Sequence, residues 1–206
     1  QLPLCARCSG MYLGMLASLI YLLRFGRRTG FPVLKISLPL SLFFLTFGID
    51  GLNSFAGFIP NAPTLYAPTN FLRLVTGAGL GMLVPMFLLP VLHQTLWNTT
   101  TDLPVLEKWR QVLPLIAIVF LAALGVFSEI PALLYPLALL SALTVPLILG
   151  LCYSLLWIII FRKENTYASL KQAWMPVLAG LFTALLQIGV IDLLRYQFTG
   201  TWAGFQ

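Results

Sequence analysis

Charge is the scarcest commodity in this chain. Of 206 residues, Asp and Glu supply six, Lys and Arg twelve, and DEKR together reach only 9%. A soluble domain of this size carries about 25% charged residues, and a disordered chain more. Both classes are therefore excluded. Cysteine is scarce too: three residues cannot staple a small secreted fold. The net charge of +6 comes from dispersed residues, with no basic tract to neutralise a line of phosphates, which argues against nucleic acid as a partner. No nucleotide-binding motif is present. What is abundant is apolar surface: 59% of residues are hydrophobic, and the mean hydropathy is +0.93. These values define an integral membrane protein, with the lipid bilayer as its first partner.

The apolar runs are long enough to span a bilayer as helices, at about 20 residues each. They predict six spans: Ser9–Phe25, Ile36–Leu52, Asn70–Leu92, Gln111–Phe127, a fifth after the Ser128–Pro131 turn ending at Phe161, and Trp174–Leu194. Polar alternation is lacking, so a β-barrel is excluded. Internal prolines such as Pro39, Pro85 and Pro146 are compatible with membrane helices. Gly57–Thr69, with Pro60, Pro63 and Pro68, reads as an irregular loop, and so does the polar stretch Trp97–Arg110. The expected fold is an all-α polytopic transmembrane bundle, a single domain over 1–206. The start at Gln1 suggests that an upstream piece precedes it.

Orientation follows the basic residues. One set of loop ends holds nine: Arg24, Arg27, Arg28, Lys35, Lys108, Arg110, Arg162, Lys163 and Lys171. The other holds Arg7, Arg73 and Arg195. The nine are assigned to the cytoplasm, which puts both termini outside and makes the Asn98-Thr99-Thr100 sequon incidental.

Polar residues then collect at the extracytoplasmic end: Cys5, Arg7 and Cys8, Asp50 and Asn53, Asn70 and Arg73, Asp192 and Arg195. Asp50 and Asp192 near helix C-termini, and Arg73 in a first turn, oppose the helix dipole at a few tenths to about 1 kcal/mol each. Ionisable groups at a membrane need partners. Asp50 is expected to pair with Arg73 on the next helix, and Asp192 with Arg195 at i, i+3. This set reads either as an ion-paired cap or as a pocket for a polar or anionic group, using Asn53, Asn70, Arg73 and Arg195. Small residues four apart (Gly10, Gly14 and Ser18; Gly77 and Gly81) read as helix-packing stripes.

Cys5-Ala6-Arg7-Cys8 is the one short motif with chemical content. Two thiols at this spacing form a disulfide, share a metal ion, or cycle between dithiol and disulfide. Ser9 is the expected N-cap of the first helix, with Cys8 just before it. Zinc would require further ligands; Asp50 and Asp192 share the face, while His93, the only histidine, belongs to the other end. Cys152, inside the fifth span, reads as a packing residue.

The segment Gln1-Leu2-Pro3-Leu4-Cys5-Ala6-Arg7-Cys8-Ser9-Gly10-Met11-Tyr12-Leu13-Gly14 resembles the signature CARC-x-G-x-Y-x-G of an uncharacterised family of prokaryotic integral membrane proteins, a domain of unknown function. Asp50-Gly51-x-Asn53 and Asn70-x-x-Arg73-x-x-Thr76-Gly77 resemble its second and third blocks. The resemblance covers the first half and implies multi-pass placement in a prokaryotic plasma membrane. It also implies a Cys-His pair upstream of the motif which, with Cys5 and Cys8, would complete a four-ligand metal set. Three functions are weighed: an outer-face metal or thiol site, in concrete form a quinone-coupled thiol oxidase; a non-catalytic subunit or assembly factor among other membrane subunits; and a transporter, for which midplane polar groups such as Thr183 and Gln187 are few.

Overall fold

The computed structural model describes residues 5–57, 59, 63–67 and 69–200. Gln1–Leu4 of the motif region, and Pro60 and Pro68 of the expected loop, lie outside the described residues. The protein is all-α. Among the described residues, six helices are long and apolar enough to cross a membrane: α1 (Ala6–Leu23), α2 (Leu34–Ala56), α3 (Asn70–Leu96), α4 (Trp109–Phe127), α5 (Pro131–Ile160) and α6 (Trp174–Thr199).

The helix ends differ from the apolar runs where side chains can cap or pair. Helix α1 starts three residues before Ser9, because the Cys5 sulfur accepts the Cys8 N–H and serves as N-cap. Ser9 is buried inside the helix and its N–H bonds the Cys5 carbonyl at 2.8 Å. Helix α4 begins at Trp109 because the Gln111 side-chain carbonyl accepts the Glu107 and Lys108 N–H groups at 2.9 and 3.3 Å. The expected loop Trp97–Arg110 instead contains a strand. Segment β1 (Arg28–Gly30) pairs in parallel with β2 (Thr101–Pro104), and the Gly30 carbonyl accepts the Val105 N–H at 2.8 Å. Gly30 permits that approach: a Cβ there would meet the Leu103 and Pro104 backbone within 2.9 Å.

The chain divides into two compact units, residues 1–94 with 99–145, and residues 95–98 with 146–206. In the first, α1 and α3 meet through the two small-residue stripes. A Cβ on Gly10 or Gly14 would strike the Leu74 or Ala78 backbone, and one on Gly77 or Gly81 would strike that of Arg7 or Met11. Backbone contact of this kind is how helices gain dispersion energy where lipid removes the hydrophobic drive. Helix α1 also packs on α4, and the Tyr21 hydroxyl donates to the Gln111 carbonyl at 2.6 Å. Leu22, Leu74, Met82, Met86, Leu89, Leu106 and Leu115 are almost wholly buried here.

Helix α2 is built inside out. Its buried residues are Ile36, Leu40, Asp50 and Asn53, while Leu38, Leu42, Phe44, Leu45 and Leu52 point outward. A helix in water hides its apolar face; this one hides Asp50 and Asn53 and turns large apolar side chains outward, as a hydrocarbon solvent allows.

In the second unit α5 and α6 run side by side. A Cβ on Gly180 would meet the Gly150 carbonyl and Ser154. Tyr153 donates to Gln187, and the Trp157 indole N–H to Thr183 at 3.0 Å. Thr183 and Gln187 thus serve as interhelical hydrogen-bond partners.

Candidate functional site

The first turn of α1 carries both sulfurs and the guanidinium between them. Cys5 at the N-cap is exposed and Cys8 is half-buried. Both are free thiols, with sulfurs 3.0 Å apart. The Cys5 thiol is pulled down to about 5 from an ordinary 9.0, first by the Cys8 thiol hydrogen bond, then by the Cys8 backbone N–H and the Arg7 charge, against an opposing burial effect. A thiolate at a helix N-terminus beside a cation is the nucleophilic form of cysteine.

Arg7 turns towards α2. Its Nε donates to Asp50 Oδ2 at 2.9 Å; its Nη2 donates to the same oxygen, to the Asp50 carbonyl at 3.0 Å and to Ser54 Oγ at 2.7 Å. The guanidinium also stands 5.8 Å from the Phe47 ring centre. Asp50 is 1% exposed. Its second oxygen accepts the Tyr66 hydroxyl at 2.7 Å. Burial, and then the Asp50 carboxylate, raise the Tyr66 pKa, which keeps the phenol a donor. Asn53 completes the arrangement: its Nδ2 donates to the Tyr66 carbonyl at 2.9 Å and its Oδ1 accepts the Leu65 N–H at 2.7 Å. The segment after α2 is thereby tied to the same carboxylate that holds α1.

The expected Asp50–Arg73 pair is not formed: the ionic partner of Asp50 is Arg7. Sequential order misleads here because the glycine stripes press α1 directly against α3, with Gly77 against the Arg7 carbonyl. Arg7 is thus brought within reach of α2. The Arg73 Nε is buried and has no hydrogen-bond partner among the described residues. Asn70 is exposed at the start of α3 and lines a cavity of about 330 Å³ with Ala6, Leu74, Phe127 and Glu129. The i, i+3 pair Asp192–Arg195 is present at 3.5 Å, on α6 in the second unit. His93 lies with β1, its Nδ1 3.1 Å from the Arg28 carbonyl, beyond the far end of the 18-residue α1 from Cys5. Sequence reasoning missed Ser54 and Tyr66, and it placed Arg7 at this end without giving it to Asp50. For Arg7 a signal existed, since a cation in the first turn of a spanning helix must find a counter-charge. Tyr66, in a proline-rich connection, offered none.

A metal needs more donors than this turn supplies. Among the described residues no group of three or more His, Cys, Asp or Glu side chains converges. Two thiolates on one tetrahedral zinc, at about 2.3 Å each, stand about 3.8 Å apart, wider than the 3.0 Å between these sulfurs. Asp50 is already committed to Arg7 and Tyr66. The described donor set does not fit zinc.

Six spanning-length helices, one of them with polar residues inside and apolar residues outside, define a polytopic α-helical membrane protein. Residues 1–87 match the family model described as a predicted membrane protein, DUF2085. No curated protein and no solved structure matches the chain.

Proposed function

We propose that the chain is a multi-pass plasma-membrane thiol–disulfide redox protein whose working groups are Cys5 and Cys8 on the extracytoplasmic side. The observation that carries this reading is the geometry of the first turn: an exposed, acidified Cys5 sulfur 3.0 Å from a second free thiol. The Cys5 thiolate attacks one sulfur of a substrate disulfide, RS–SR′. A Cys5–SR bond forms, and R′S⁻ leaves and takes up a proton. The Cys8 thiol then loses its proton and attacks the Cys5 sulfur, which forms the Cys5–Cys8 bond and expels RS⁻, protonated in turn. Two electrons pass from the dithiol to the substrate, and RS–SR′ becomes two thiols. The reverse sequence oxidises a substrate dithiol.

Asp50 and Ser54 hold Arg7, and so the turn itself, while Tyr66 and Asn53 brace Asp50 from behind. They position the thiols and do not react. The extracytoplasmic assignment is supported by the nine-to-three distribution of basic residues. An oxidising compartment also suits a dithiol that turns over by exchange.

The test equilibrates the purified chain in detergent with mixtures of reduced and oxidised glutathione, then alkylates free thiols and weighs the protein. Loss of both thiols together, in one reversible two-electron step, is the expected result. Cys8→Ala should accumulate glutathione on Cys5. A wild type that keeps both thiols at every ratio, or a Cys8→Ala chain that forms no adduct, would overturn the proposal.

A further inference from the structure

A second feature lies in the unit formed by residues 95–98 and 146–206, and it is independent of the thiol reading. At the connection between α5 and α6 there is a cavity of about 270 Å³. Its wall is apolar: Trp157 on α5 and Phe161 just past its end, with ring centres 5.5 Å apart and nearly parallel, face Met175 and Ala179 on α6. Its rim is polar, made by Lys163 and Tyr167. The Trp157 indole N–H is already spent on Thr183, so the ring offers the cavity only apolar surface. Tyr167 is held firmly, its N–H on the Leu96 carbonyl at 3.3 Å and its own carbonyl on the Asn98 N–H at 3.0 Å. The two residues that flank the rim lysine segment, Arg162 and Asn165, take left-handed backbone conformations with φ of 53° and 55°. Such conformations cost energy in residues with a side chain, and they mark a sharply turned backbone around Lys163 just past the end of α5.

We infer that this cavity is a binding site for an anionic phospholipid, with the headgroup phosphate at Lys163 and Tyr167 and the start of an acyl chain between the Trp157 and Phe161 rings and Met175–Ala179. Charge selects this occupant. Residues 162–171 hold Arg162, Lys163 and Lys171 against the single acid Glu164, and no ion pair among the described residues engages Lys163. Basic clusters at helix ends attract anionic headgroups at the cytoplasmic surface. The volume lies at the small end of ligand pockets, which suits a headgroup and the first part of a chain. Aromatic rings at a span end are also the usual neighbours of the headgroup layer.

Native mass spectrometry of the full chain tests this, with phosphatidylglycerol and phosphatidylcholine of identical acyl chains titrated into the detergent-solubilised protein. Phosphatidylglycerol should bind preferentially at one saturable site. Lys163→Gln should weaken it about fivefold, the weight of one basic residue at a membrane surface, and leave phosphatidylcholine unchanged. Lys35→Gln, a basic residue of the first unit, should leave the preference intact. Ala179→Trp, which fills the slot, should abolish the site for both lipids. Excess inorganic phosphate should not displace the lipid, because it lacks the chain. Equal binding of the two lipids, a preference that survives Lys163→Gln, or displacement by phosphate would each overturn the inference. Lys163→Gln changes an exposed side chain, so its result stands even if Ala179→Trp fails to fold.

Discussion

Changing Asp50 to Asn removes one charge from a buried set and leaves Arg7 facing it. The Asp50 side chain is 1% exposed and that of Arg7 18%. Breaking a buried pair by removing one partner costs about 3–5 kcal/mol when the survivor is dry. The partial exposure of Arg7 puts Asp50→Asn towards the lower bound, about 3 kcal/mol, because some water reaches the guanidinium. The amide retains an acceptor for either Arg7 or Tyr66, which again limits the loss. Arg7→Gln strands the carboxylate instead, whose remaining side-chain donor is the Tyr66 hydroxyl, and should cost as much or more. The informative quantity is the coupling. Thermal or denaturant unfolding in a mild detergent, for wild type, the two single variants and the double variant, should give a double loss smaller than the sum by about 1–3 kcal/mol. The parallel cycle with Arg73→Gln and Asp50→Asn should give a much smaller coupling. If Arg7 and Asp50 are additive within about 0.5 kcal/mol, or if Arg73 couples to Asp50 more strongly than Arg7 does, the network described above is wrong.

Alkylation of Cys5 by iodoacetamide should rise with a midpoint near pH 5 and be flat above it; Cys8→Ala removes the principal hydrogen bond and should move the midpoint up towards 9.0. Because the folded-state value is depressed, the Cys5 thiolate favours the native state fully above the ordinary thiol range, and that contribution disappears as pH falls through about 5. Unfolding midpoints of wild type and Cys5→Ser should therefore converge in acid; a gap that widens there would contradict the assignment. Gly81→Ala and Gly77→Ala should each cost about 1–3 kcal/mol as overpacking, since their Cβ atoms would strike the Met11 and Arg7 backbone, whereas Gly189→Ala meets open space and should be neutral or slightly stabilising. Equal effects at the three glycines would refute the α1–α3 contact. A membrane-impermeant maleimide applied to intact cells after mild reduction should label Cys5; labelling only after lysis would reverse the orientation.

Much of this protein is local information. Six apolar stretches bounded by basic clusters or prolines gave six helices whose centres coincide with the expected spans, because a bilayer-spanning helix satisfies its own backbone within one segment. The Asp192–Arg195 pair was legible for the same reason: both residues sit on one helix, and i, i+3 geometry is set by the helix alone. The stripes Gly10–Gly14 and Gly77–Gly81 announced close packing, though not that they would face each other. The tertiary structure decided everything that depends on which segments meet. Asp50 chose Arg7, forty-three residues away, over the nearer Arg73, because glycine-to-backbone contact brought the start of α1 against α3 and so beside α2. The cap is also a matter of local geometry that composition does not show: the Cys5 sulfur, rather than Ser9, caps the helix, and that placement decides which thiol is acidified. Likewise β1 and β2 have no alternating pattern to betray them; their pairing depends on the ends of α1 and α3, which they follow in the chain, meeting in the fold. Side-chain charge can name the groups that need partners, but only the packing of the helices determines which partner lies within 3 Å.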